Sequence, residues 1–128
     1  MNLIRYICGM KVETATHIRT VYLTEEFVRF YNSLPKEVQK KYDYTLDIVQ
    51  RIYVLPTKFV KHLSGTRLHE IRVAVGSNAY RTVLFAANSN NIIQATEIYL
   101  LNSFLKKSEK DYKKQLTIAE KILNELNL

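Results

Sequence analysis

The chain has 128 residues, a formal net charge of +7 and 47% hydrophobic residues, with 9 Tyr and 5 Phe. That composition excludes a disordered chain and supports one domain with a real core. The single cysteine, Cys8, excludes an intramolecular disulfide and a cysteine-rich zinc site, and no apolar run approaches the roughly 20 residues of a membrane span.

The opening MNLIRYICGM is too short for a leader and lacks a small-residue cleavage site. The expectation is a cytoplasmic protein with an N-terminal extension over 1–17 and a single domain over 18–128. Met10 is an alternative start, which would make residues 1–9 an over-extended reading. Ile18 to Leu23 alternate as a short strand. Thr24 is a good N-cap, and Glu25 and Glu26 suit the positive end of a first helix, TEEFVRFYNSL, with Phe27, Phe30, Tyr31 and Leu34 on one stripe. Pro35 opens a second helix running to about Val54, in which Val38, Tyr42, Leu46, Val49, Ile52 and Tyr53 keep near a 3.6 period. Residues 57–64, TKFVKHLS, read as a basic linker carrying Lys58 and Lys61.

Three β-rich runs follow, separated by GSNA at Gly76 to Ala79 and NSNN at Asn88 to Asn91, the signature of an antiparallel meander. Alternation places Leu68, Glu70, Arg72 and Ala74 on one side, and His69, Ile71, Val73 and Val75 on the other. The second set is mostly apolar and faces the core, so His69 is expected to be a core histidine. A turn with Ser77 and Asn78 as its two loop residues sets Ala74 opposite Arg81, which brings Arg81 onto the open face with Glu70 and Arg72. The third run, Asn91 to Leu105, buries Ile98 and Leu100 only if a β-bulge lies between Gln94 and Glu97. That bulge decides whether Lys106 or Lys107 joins the charged face. Ser108 and Asp111 resemble a capping box, and Tyr112, Leu116, Ala119, Ile122, Leu123 and Leu126 form the stripe of a C-terminal helix.

The expected fold is therefore α+β: an antiparallel sheet of an N-terminal strand plus a three-strand meander, with a helical hairpin packed on it and a C-terminal helix. The basic excess is concentrated. Between Arg51 and Arg81 lie Lys58, Lys61, Arg67 and Arg72 against one acid, Glu70, and Lys106, Lys107, Lys110, Lys113 and Lys114 form a second cluster. Such clusters favour a polyanion, nucleic acid first. His17, His62 and His69 match no metal-ligand spacing, and no metal or other cofactor is expected. A carboxylate among guanidiniums suits phosphate chemistry: cationic donors hold charge on a phosphorane, and proton carriers serve the attacking and leaving oxygens. Arg72 and Arg81 suit bidentate phosphate contact.

The motifs HLSGTRLHEIRV, AYRTVLF and SFLKKSEKDY, in that order after two helices, resemble the RelE/ParE toxin superfamily, and within it the HigB-like, phage-derived group. The resemblance covers about Ile18 to the end and implies a RelE-like fold. It also implies the toxin of a type II toxin–antitoxin system, a ribosome-dependent endoribonuclease that cuts messenger RNA without metal. On that pattern Glu70, Arg72, Arg81 and Lys107 are the catalytic set. Lys58, Lys61, Arg67, Lys106, Tyr112 and Lys113 are RNA-binding, with Lys106 and Tyr112 as further candidates for the acid. The implied partners are a cognate antitoxin of helix-turn-helix type, the ribosome and mRNA, with no membrane. Asp111 and Tyr112 stand where many HigB-like members have a Thr-Pro step. The alternative within the superfamily is a ParE-like toxin that binds DNA gyrase and cuts nothing.

Overall fold

The computed structural model describes residues 3–5 and 18–128. Cys8, Met10 and His17, and the expectations attached to them, lie outside the described residues. The elements in chain order are β1 (Leu3–Arg5), β2 (Thr20–Thr24), α1 (Glu25–Asn32), α2 (Lys36–Arg51), β3 (Val60–His62), β4 (Leu68–Val75), β5 (Asn78–Ala86), β6 (Glu97–Leu105) and α3 (Glu109–Leu126). The strands form one sheet in the order β1-β2-β6-β5-β4-β3.

The α+β class and the β4-β5-β6 meander stand, but the sheet is mixed rather than antiparallel. β2 lies beside β6 and runs parallel to it, because the α1–α2 hairpin is part of a long crossover that returns the chain to the same end of the sheet. The sheet is also wider than expected. Leu3–Arg5 pairs with β2 at one edge, and the stretch read as a linker supplies β3 at the other.

Local chemistry explains the helix ends. Thr24 caps α1, its hydroxyl accepting from Phe27 N at 3.3 Å and donating to Leu101 O at 2.9 Å. Pro35 sits at the N-cap of α2, one position outside the helix. α2 stops at Arg51 rather than near Val54, since Ile52 is already extended at φ −90°, ψ 126°. The freed carbonyls are taken by Arg19, which is 1% exposed. Its Nη1 donates to Val49 O (2.9 Å) and Ile52 O (2.6 Å), and its Nη2 to Tyr53 O (2.7 Å). Nε reaches Ile92 O at 3.1 Å, so one side chain ties a helix terminus to the β5–β6 loop. Ser108 caps α3 by accepting from Asp111 N at 3.1 Å, and Asn127 closes that helix in the left-handed region at φ 54°.

Two cores flank the sheet. The α1–α2 side holds Val21, Phe27, Tyr42, Leu46, Val49, Ile71, Val73, Leu84, Ile98 and Leu100. The other side holds Leu68, Val83, Leu101 and Phe104 against Ala119, Ile122 and Leu123 of α3. At about 1.5–3 kcal/mol per fully buried aliphatic side chain, that second cluster is what holds α3 down. The face expected to be open is therefore partly roofed by α3.

Two registers differ from expectation. The β4–β5 loop is Gly76-Ser77, with Val75 opposite Asn78 and Arg72 opposite Arg81. Gly76 takes φ +60° while no other loop residue is positive, as a turn with glycine at its first central position requires. The bulge exists, but inside β6: Thr82 pairs with Ser103 while Leu84 pairs with Leu100. Its extra residue turns both Leu101 and Asn102 toward α3, and Ile98 and Leu100 are buried as expected. The run before Glu97 is a loop, not strand, because Asn88 Oδ1 accepts from Thr96 N and Glu97 N, and Asn91 Oδ1 from Ile93 N. Among the described residues no helix is long and apolar enough to cross a membrane.

Candidate functional site

Alternation along β4 puts Glu70 and Arg72 on the α3 side of the sheet, and pairing sets Arg81 of β5 directly opposite Arg72. Two guanidiniums across a strand pair repel. Glu70 stands between them, its Oε2 2.9 Å from Arg72 Nε and 3.6 Å from Arg81 Nε. Its other oxygen, Oε1, accepts a 2.6 Å hydrogen bond from the Tyr112 hydroxyl in the first turn of α3. The carboxylate is thus engaged on both sides, and Glu70 is 2% exposed. It was expected to be exposed; the roof of α3, carrying Tyr112, closes it in. The cations remain reachable, with the Arg72 side chain 29% and the Arg81 side chain 12% exposed.

Tyr112 is fixed from three directions. Phe104 of β6 packs edge-on against its ring at 5.8 Å, and Lys106 Nζ lies 5.6 Å from the ring centroid. Burial, then the hydrogen bond to Glu70 and its negative charge, push the phenol well above its ordinary range. The group is therefore a neutral donor at physiological pH. One turn further on, Asn102 of the bulge donates to Gln115 O at 3.0 Å and Gln115 Oε1 at 3.1 Å. Sequence reading did not find this brace. A buried asparagine between leucine and serine in a strand was its one available signal.

Glu70, Arg72, Arg81 and Tyr112 thus form one cluster, rimmed by Lys106. Lys61 sits across from Glu70 on β3, on the same face and exposed. The other predicted residues lie apart. Lys107 is exposed beyond β6, so the displaced bulge gives the ring contact to Lys106 instead. Lys58 covers the Phe59 ring at 5.0 Å. Arg67 lies 5.5 Å over Phe85 and 3.7 Å from Glu120, and Lys113 points to solvent from α3.

His69 faces the opposite core and is 4% exposed. Its ring lies 5.0 Å from that of His62, directly across on β3. Burial and that neighbour lower it to about 4, so it is neutral at physiological pH. Among the described residues no three His, Cys, Asp or Glu side chains group as a metal site.

A cluster of two arginines, a sealed carboxylate and a protonated phenol can hold an anion and move a proton beside it. The family model of phage derived proteins of Gp49-like type (DUF891) matches residues 29–124, which includes every member of the cluster. No curated protein and no solved structure matches the chain. Most of its length lies within the family match, and the chain belongs to the phage-derived Gp49-like family, a toxin-like family of RelE/HigB type.

Proposed function

We propose that this protein is the toxin of a type II toxin–antitoxin system in the RelE/ParE superfamily, acting in the cytoplasm as a ribosome-dependent endoribonuclease on messenger RNA. A cognate antitoxin, of helix-turn-helix type, silences it. The observation that carries the reading is the Glu70–Tyr112 contact beside two reachable arginines. Arg72 and Arg81 hold the scissile phosphate and the charge that builds on its oxygens. Glu70 is sealed from solvent and acts through Tyr112: the phenol oxygen takes the 2′-hydroxyl proton while its own proton passes to Glu70 Oε1. The 2′-oxygen bonds to phosphorus, the bond to the 5′-oxygen breaks, and that oxygen takes a proton from Lys106 or Lys107. The products are a 2′,3′-cyclic phosphate and a 5′-hydroxyl. No step needs a metal or other cofactor. Lys58, Lys61, Arg67 and Lys113 serve the RNA backbone around this centre.

The test is cleavage of a defined message in a reconstituted translation system, with cut ends mapped and their termini identified. Cleavage that appears only on ribosomes, persists in chelator and leaves cyclic-phosphate ends supports the reading. Intact message together with blocked gyrase supercoiling would replace it with a gyrase-directed toxin.

A further inference from the structure

On the far side of the edge strand from Glu70 lies a cavity of about 370 Å³, within the range of small-ligand clefts at roughly 300–1,000 Å³. His62, His69, Thr57, Asn90 and Asn91 supply its polar wall, and Val60 and Ile92 belong to its apolar one. No charged side chain lines it. His69, which helps line the cavity, has its Nδ1 buried, and among the described residues neither that atom nor the Asn90 amide has a hydrogen-bond partner. The neutral state of His69 adds no charge to attract a phosphate. Flat imidazoles, a free amide and aliphatic walls suit an uncharged planar group with hydrogen-bonding edges. Two histidines do not suit a metal: His62 Nε2 is already 2.8 Å from Thr66 O, and no third ligand joins them among the described residues.

The position of the cavity names the planar group. β3 is the sheet edge among the described residues, so its side chains alternate between the two faces with no further strand beside it there. Lys61 faces the Glu70 side and His62 the cavity side, while Lys58 and Lys61 are exposed along the same segment. A nucleic-acid strand held at Arg72 and Arg81 can run on over β3 against those lysines and place a base a few nucleotides from the scissile phosphate in the cavity. Single-stranded RNA is read in this way, with bases stacked on aromatic rings and their edges bonded by amides.

We propose that this cavity is a base-binding subsite, taking one unstacked base of the RNA whose scissile phosphate lies at Arg72 and Arg81, and so setting the sequence preference of the cut. The inference rests on the nuclease reading, and two measurements separate them. In the first, the four ribonucleoside 5′-monophosphates are titrated into the free protein, with ribose 5-phosphate as control. The ring signals of His62 and His69 are followed by NMR. The expected result is a shift of both rings with at least threefold preference for one base, reduced in Asn90→Ala, whose fold is checked by circular dichroism. Unmoved rings, or equal shifts with ribose 5-phosphate, would overturn the subsite. In the second, cut sites are profiled on ribosomes for wild type and Asn90→Ala. A base preference that flattens at least threefold in the variant upholds the subsite, and an unchanged profile overturns it. Base-selective binding by a protein that cuts no message upholds the cavity as a base site and overturns the nuclease reading. Cutting with unmoved rings does the reverse.

Discussion

The Tyr112 hydroxyl and Glu70 Oε1, 42 residues apart in sequence, meet at 2.6 Å and join the last helix to the middle of the sheet. Everything chemically distinctive about the site passes through that contact. Without it Glu70 is only a counter-ion for two arginines, and Tyr112 only an amphipathic ring at a helix start.

Tyr112→Phe is expected to keep the ring packing against Phe104 and to remove the proposed proton path. General acid–base help typically contributes about 10²–10⁴-fold, so single-turnover cleavage on saturated ribosomes is expected to fall by about that factor with ribosome affinity nearly unchanged. Glu70→Gln is expected to match it. A much smaller loss in Glu70→Gln, accompanied by weaker binding, would reduce Glu70 to a group that orients the arginines.

Arg81→Ala is expected to relieve growth arrest when the protein is made without an antitoxin. Arg72, 2.9 Å from Glu70, is expected to keep the buried carboxylate paired, so the fold should survive. Circular dichroism of the purified variant beside the growth curve checks both halves. Full toxicity from a folded Arg81→Ala protein would remove Arg81 from the site.

His69 makes stability depend on pH. Its folded value, about 4, lies below the ordinary 6.5, so between those values the unfolded chain binds the proton that the folded chain refuses. Stability from this group is fully present above the unfolded value and is lost as pH falls through the window to the folded value. Urea midpoints measured from pH 7 down to 4 are expected to drop, and His69→Gln is expected to flatten the slope in that window.

Arg19 joins the end of α2 to the β5–β6 loop through its buried guanidinium. Replacing it by methionine leaves the carbonyls of Val49, Ile52 and Tyr53 without their donors; the Val49 bond is buried and the other two partly so, and an unpaired fully buried group costs about 1–3 kcal/mol. Arg19→Met is expected to cost about 3 kcal/mol or more in urea denaturation. Arg19→Lys should rescue little, since an ammonium on a shorter reach cannot span the same carbonyls.

The charged face was legible in the sequence although the turn was not. Moving the loop from Ser77-Asn78 to Gly76-Ser77 shifts the pairing by two, and a strand's side-chain period is also two, so Arg81 keeps its side. The helical stripes up to Val49 and the Thr24 and Ser108 caps were legible because they depend on neighbours a few residues away, whereas Ile52 and Tyr53, expected on the second stripe, lie past the end of α2 and are exposed. The burial of Glu70 was not, since it depends on where α3 lands. Ile92 and Ile93 read as strand because they are apolar and β-branched, yet asparagine side chains hold that run in a loop. Arg19 gave no sign of its burial, because backbone carbonyls, its partners, leave no trace in a sequence.

The parallel pairing of β2 with β6 also has a kinetic side. β2 and the helical hairpin are made early, but the strand that fills the inner edge of β2 emerges only after the rest of the meander. Pairings of such long separation form late, since the loop must close before any contact repays it. Tyr112 comes later still. The contact between Tyr112 and Glu70 therefore joins only after the whole sheet has been made, and until β6 is in place the inner edge of β2 presents unpaired backbone.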